Sequence, residues 1–429
     1  MSYSTISYEN TVHGVASEMK VLLLNTSDCV GGAAIAAQRL NSGLRSAGVD
    51  SRMLVQHKTS DLGSVVGPSS GLDKALSVLR SPLTRRLLNL RAGIDTGNFS
   101  PEWFPSHALK TIETINPDIV HLHYLGRGFG RPEIIGNIKR PIIWTLHDMW
   151  PFTGGCHYDK ECGRYRDSCG KCPVLGSSKE KDLSRKVWRR KQAAWGEAKV
   201  TIVTLSNWME RCVGESTIFQ NATTYRVPNG LDLDLFRPIE PAVARSILGF
   251  PVDKLLVLFG TVTAGSKEYK GFEHLEEMLT GAVEIGTEVE AVVFGGSEPS
   301  DPPDFGFPTT YMGRLHDTNS LVLLYSAVDV FIAPSRQDNL PNTVMEALAC
   351  GTPCLAFNIG GMPDLIDHKK NGYLATPFDT ADMAAGLNWI LADSDRRRRL
   401  SENARKKVER CFSQRLQVER MMEIYESVA

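Results

Sequence analysis

Short continuous apolar runs alternate along this chain with longer stretches whose apolar positions recur every three to four residues. The first run, KVLLLNT (20–26), leads through Gly31 and Gly32 into a segment with an apolar stripe at Ile35, Leu40 and Leu44. That pattern predicts a strand, a glycine turn and a helix. The runs SRMLVQH (51–57), PDIVHLHYL (117–125), PIIWTLHD (141–148) and VTIVTLS (200–206) predict further strands of the same kind. After the turn RVPNGLDLDLF (226–236) the alternation starts afresh with KLLVLFGTV (254–262), VEAVVFGG (289–296), DVFIAPS (329–335) and TPCLAF (352–357). Runs that stay apolar, rather than alternating with polar residues, imply parallel strands covered on both faces. The expected class is α/β, with two doubly wound Rossmann-like domains. Expected boundaries are an extension over 1–18, a first domain over 19–228, a second over 229–408 and a final helix over 409–429 that crosses back to the first domain.

Composition agrees with two cores and narrows the partners. The chain has 429 residues, 42% of them apolar, and a formal net charge of −1. It is long enough for two domains and too near neutrality to be a general nucleic-acid binder. No apolar run approaches a membrane span, and the first eighteen residues lack the basic and apolar regions of a signal peptide, so a cytoplasmic protein is expected.

Open parallel sheets bind ligands beyond the carboxyl ends of their strands, and the residues of chemical interest fall there. Gly31 and Gly32 could offer amides to an anion at a helix N-terminus or form a plain tight turn. His147 ends a strand beside Asp148, a position that suits a structural hydrogen bond as well as a ligand contact. Lys270 precedes a helix of the second half, as a diphosphate-binding ammonium or a solvated charge. Pro341 suits the start of a helix whose amides at Asn342, Thr343 and Val344 would converge with Lys270 on a diphosphate. Glu346, one turn further in, would then reach hydroxyls on whatever the diphosphate carries.

The segments VPNGLDLDLF, YKGFEHL, DVFIAPS and DNLPNTVMEALACGTPCLAF, in this order, resemble the second half of the retaining, GT-B fold glycosyltransferases of family 4. GGAAIAAQRL, PDIVHLHYL and WTLHD resemble its acceptor domain. The resemblance covers nearly the whole chain from Met19 and implies two Rossmann-like domains facing a central cleft. It further implies transfer of a sugar from a nucleotide-diphosphate donor to a glycan or lipid-linked saccharide, without a catalytic metal. Asp338 would hold hydroxyls of the donor sugar, Glu346 the ribose, Lys270 the diphosphate, Gly32 the phosphate side and His147 the transferred sugar. Gly31 and the run Asn339, Leu340, Pro341 and Asn342 would complete the donor site. Two departures stand out: the first acid is usually glutamate, and the usual Gly-Arg pair reads Gly260-Thr261, so Lys267 is the candidate replacement cation.

Two stretches remain. Cys156, Cys162, Cys169 and Cys172 lie within seventeen residues and could close a tetrahedral structural zinc site, or stand as free or redox-labile thiols. The other five of the nine cysteines read as buried small residues. The segment 77–95 interleaves Arg80, Arg85, Arg86 and Arg91 with leucines, which suits either peripheral contact with the inner face of the cytoplasmic membrane or a soluble helix with a basic face. A sugar-nucleotide epimerase and a non-catalytic carbohydrate-binding protein stay open as other functions.

Overall fold

The computed structural model describes residues 19–68, 70–92, 98–195, 198–260, 271–281, 289–296, 298, 302–315 and 317–429. Thr261, Lys267 and Lys270 lie outside them. The chain forms two compact units. One takes the residues up to Thr204, Glu210–Val227 and Gln414–Ala429; the other takes Leu205–Met209 and Pro228–Ser413.

The first unit is built on strands β1 (Lys20–Ser27), β2 (Asp50–His57), β3 (Val65–Val66), β4 (Ile119–Leu122), β5 (Ile142–Leu146), β6 (Val200–Thr204) and β7 (Thr224–Arg226). They pair in parallel in the order β3-β2-β1-β4-β5-β6-β7. The second carries β8 (Leu255–Gly260), β9 (Val289–Phe294), β10 (Thr309–Tyr311), β11 (Val330–Ala333), β12 (Cys354–Phe357) and β13 (Gly372–Ala375) in the parallel order β10-β9-β8-β11-β12-β13. In each sheet the winding reverses once, between β1 and β4 and between β8 and β11. Such a reversal leaves a crevice at the carboxyl ends of the two central strands.

Both faces of the second sheet are covered. Val257, Phe259, Val293, Ile332 and Leu355 enter one apolar layer, while their neighbours Leu256, Leu258, Val292, Phe331 and Cys354 enter the other. This is why the strands read as unbroken apolar runs. Full burial of each Val, Leu, Ile or Phe side chain among them stabilises by about 1.5–3 kcal/mol. In the first unit one layer joins Val21, Leu23, Ile119 and Ile143 to Val418, Met421 and Tyr425 of the last helix, Gln414–Val428.

Three sequence expectations need correction. Ile35 is 38% exposed, and the buried stripe of the helix Gly32–Ser46 runs instead through Ala34, Ala37, Leu40, Asn41 and Leu44. Arg80 is buried on the helix Gly71–Ala92, where its Nη1 donates to Gln56 Oε1 at 2.6 Å, so it adds nothing to a basic outer face. Cys29 is exposed and Cys411 half-buried.

Candidate functional site

In the second unit the site is assembled on the loop between β11 and the helix Asn342–Ala349. Pro341 stands at φ −66° and ψ 122°, just before the first helical residue, and no side chain caps the helix. A proline here forfeits nothing, because the first amides of a helix lack intrahelical acceptors anyway. Glu346 is 5% exposed one turn in, and Tyr325 Oη donates to its Oε2 at 3.2 Å. Burying a carboxylate without partners costs several kcal/mol, so the tyrosine both offsets that cost and fixes one oxygen.

Asp338 (7% exposed), Asn339 and Leu340 are also buried. Their backbone is held from behind: the Gly361 amide donates to Asp338 O at 3.0 Å. A Cβ on Gly360 would overlap the Asp338 carbonyl, and one on Gly361 the Asn339 carbonyl. Only glycine permits that approach, and Gly360 also stands at φ 51°. Asn339 Oδ1 lies 2.7 Å from Ser206 Oγ, and Asn229 Nδ2 reaches Asn342 Oδ1 at 3.4 Å. Gly271, next in sequence to Lys270, has φ 67° and packs against the Pro334 carbonyl at the end of β11. Thus Asp338 to Asn342 and Glu346 gather at the carboxyl end of β11, beside the β8/β11 reversal.

The remaining candidates belong to the first unit. Gly31 caps the helix Gly32–Ser46 with φ 93°, and the space where a side chain would stand is open. His147 follows β5, half-buried, with Nε2 3.0 Å from His123 Nδ1. Burial depresses His147 to about 4, against an opposing pull from Asp148. Asp148 Oδ2 lies 2.6 Å from His157 Nδ1, and His157 Nε2 lies 2.8 Å from Ser100 Oγ. This serine, histidine and aspartate lie in the order of a nucleophilic triad. Yet Ser100 is 3% exposed and its oxygen already accepts the Arg127 amide at 3.2 Å, so the three groups stitch the 98–103 and 148–157 segments together.

The cysteine loop shares this buried neighbourhood. Burial raises Cys156 well above the usual thiol range, Cys172 and Cys169 being near enough to add to the rise, and pushes Cys169 up to about 12. Gly154 N–H donates to Cys169 Sγ at 3.1 Å. Among the described residues, no group of three or more His, Cys, Asp or Glu side chains is arranged to hold a metal ion. Lys191, fully buried next to them, donates to the carbonyls of Trp150 and Thr153 and lies 3.8 Å above the Trp150 ring; burial lowers it to about 7.

Sequence reading missed Tyr325, Ser206 and the Gly360-Gly361 pair. Only the glycine pair carried a signal, since two adjacent glycines shortly after an apolar run mark close backbone approach.

Two family models match the sequence: one described as Glycosyltransferase Family 4, over residues 30–235, and one described as glycosyl transferases group 1, over residues 309–407. A D-inositol 3-phosphate glycosyltransferase of Saccharomonospora viridis is 28% identical over 230 residues, which is 46% of this chain and 49% of that protein. A sulfoquinovosyl transferase of Arabidopsis thaliana is 25% identical over 316 residues, 70% of this chain and 55% of that one. The chain spans about half the length of the curated relatives it matches. In fold it is similar to the sucrose-phosphate synthase of Thermosynechococcus elongatus, with TM-score 0.65, 19% identity and 95% and 98% of the two chains covered. It is also similar to HepE of Anabaena solved with UDP-glucose, with TM-score 0.61, 17% identity and 95% and 100% covered.

Proposed function

The chain belongs to the GT-B glycosyltransferases of family 4, and on that premise we propose that it moves a sugar, with retention, from a nucleotide-diphosphate donor to a glycan or lipid-linked saccharide. The observation that carries this reading is Glu346. A carboxylate buried in an apolar helix, with one oxygen held by Tyr325, suits recognition of vicinal hydroxyls such as those of a ribose. In this reading the first amides of the helix Asn342–Ala349 and Lys270 meet the diphosphate. They oppose the charge that develops as the bond from the anomeric carbon to phosphate breaks. Asp338 holds hydroxyls of the donor sugar, and Lys267 supplies the cation that Thr261 does not. A phosphate oxygen takes the acceptor proton on the face the leaving group vacates. That HepE was solved with UDP-glucose supports a nucleotide sugar as donor.

Calorimetric titration with a panel of nucleoside diphosphates tests the reading. One of them should bind, and Glu346→Ala should weaken it by roughly ten- to a hundredfold, the worth of hydrogen bonds to a charged group. A folded variant with unchanged affinity would remove Glu346 from the site.

The acceptor side is read as peripheral to a membrane. No helix among the described residues is long and apolar enough to cross one. The helix Gly71–Ala92 nevertheless exposes Leu76, Leu79, Leu83 and Leu90, with Arg85 and Arg86 beside them. Apolar side chains next to cations suit an anionic lipid surface. The protein should co-sediment with vesicles containing anionic lipid, and Leu79→Glu with Leu83→Glu should abolish this; equal sedimentation of that double variant would refute the contact.

A further inference from the structure

Three histidine rings line the carboxyl ends of β4 and β5. His121 satisfies both nitrogens with hydroxyls: Nδ1 lies 2.7 Å from Tyr425 Oη and Nε2 2.8 Å from Thr145 Oγ1. His123 packs against it, ring centroids 4.3 Å apart, and stacks on His147 at 5.2 Å. Trp144 Nε1 donates to the His123 carbonyl at 2.9 Å, which fixes the backbone that carries the middle ring. His123 Nδ1 faces His147 Nε2 at 3.0 Å, while His123 Nε2 is buried with no hydrogen-bond partner. Burial holds His123 well below its ordinary range and His147 near 4, so both rings are neutral at neutral pH.

A neutral imidazole carries one N–H, and the contact between the two rings needs one nitrogen to donate and the other to accept. There are two assignments. If His147 donated from Nε2, the hydrogen of His123 would have to sit on its own Nε2, as a buried donor facing no acceptor. If His123 donates from Nδ1, its Nε2 is a bare lone pair, and unmatched buried acceptors are tolerated better than unmatched N–H groups. The two assignments differ only in whether that unmatched nitrogen is a donor or an acceptor, and the difference favours the second.

We infer that His123 is a positioning residue that locks His147 in its Nδ1–H tautomer, so that His147 acts on its substrate as a hydrogen-bond donor and not as a base. This rests on the reading of His147 as a contact of the transferred sugar. Its consequence is specific: the ring can give a hydrogen to a sugar oxygen, but its only lone pair is engaged by His123. It therefore cannot take the acceptor's proton.

Long-range proton–nitrogen correlation spectra of the full chain, labelled with 15N-histidine and assigned with His147→Gln, read the tautomer directly. The wild type should show His147 protonated at Nδ1 and bare at Nε2. His123→Asn, whose amide N–H can stand where Nδ1–H stood, should preserve this pattern, and His123→Leu should lose it. A wild-type His147 protonated at Nε2, or a tautomer unchanged in His123→Leu, would overturn the inference. If either variant fails to fold, the wild-type spectrum alone decides. Transfer activity does not enter this readout. Unchanged transfer by His147→Ala would remove the substrate contact while leaving the hold of His123 on the ring intact.

Discussion

Lowering the pH from about 7 to about 5 should destabilise the first unit through its neutral histidines, and His121 lets the effect be isolated. The ring is 0% exposed, and burial brings it from 6.5 down to about 3. The sign follows from proton counting. Between those values the unfolded chain binds a proton that the folded ring refuses, so acid favours unfolding, and the loss begins as the pH falls below 6.5. At about 1.4 kcal/mol per pH unit for one proton, the loss at about pH 5 is about 2 kcal/mol for this ring. His123 and His147 act in the same direction. Glu102 acts against them. Burial raises it to about 7, although the Gly128 amide donates to both its oxygens; the folded state therefore holds a proton there that the unfolded chain releases, and acid gains about 2 kcal/mol. The net slope of the wild type thus mixes opposing groups, and a comparison of variants is the clean measurement. His121→Gln removes one titrating ring while leaving an amide to meet Tyr425 or Thr145. Guanidinium unfolding, followed by fluorescence of the Trp144, Trp150 and Trp195 cluster, should show a variant less stable than wild type at neutral pH but losing about 2 kcal/mol less on acidification. Equal losses in the two proteins would refute the reasoning.

Gly361→Ala should push the Asn339 carbonyl away and loosen the loop that carries Asp338. It should lower the stability of the second unit by about 1–3 kcal/mol and weaken nucleotide binding in calorimetry; wild-type values for both would show that the two backbones are not in contact. Iodoacetamide at about pH 8 should modify exposed Cys29 well before Cys169 and Cys350, which burial pushes up to about 12, and before fully buried Cys354. Peptide mass mapping that gave equal rates would refute this.

The nine strands that the apolar runs predicted are all present, and the four that went unread, β3, β7, β10 and β13, are the outer strands of the two sheets. An outer strand has one neighbour and needs few residues: β3 has two and β10 three, the latter half-buried throughout. Neither leaves an apolar run long enough to stand out from a loop. Glu346 was legible because a lone acid in an apolar helix breaks the helix's own periodicity. Tyr325 was not, since its helix Thr318–Ala327 is apolar enough that a tyrosine reads as packing. Ile35 was misread because the sequence shows which residues are apolar and not which of them the sheet reaches. The small residues Ala34 and Ala37, which bring the helix Gly32–Ser46 close to its sheet, carry little hydrophobic signal. The pairing of His123 with His147 joins two strand ends twenty-four residues apart, a relation that only strand order supplies.

The last helix gives Val418, Met421 and Tyr425 to the core of the first unit, and Tyr425 reaches back to His121. During synthesis at about 5–20 residues per second, the second unit's residues, which end at Ser413, have all been polymerised before that helix is made. The unit translated first is therefore the one completed last. Until Gln414–Val428 leaves the ribosome, the layer around Val21, Leu23 and Ile119 lacks Val418, Met421 and Tyr425. A message truncated just after Ser413 would yield one finished unit and one with an open apolar face, of the sort that chaperones and proteases recognise.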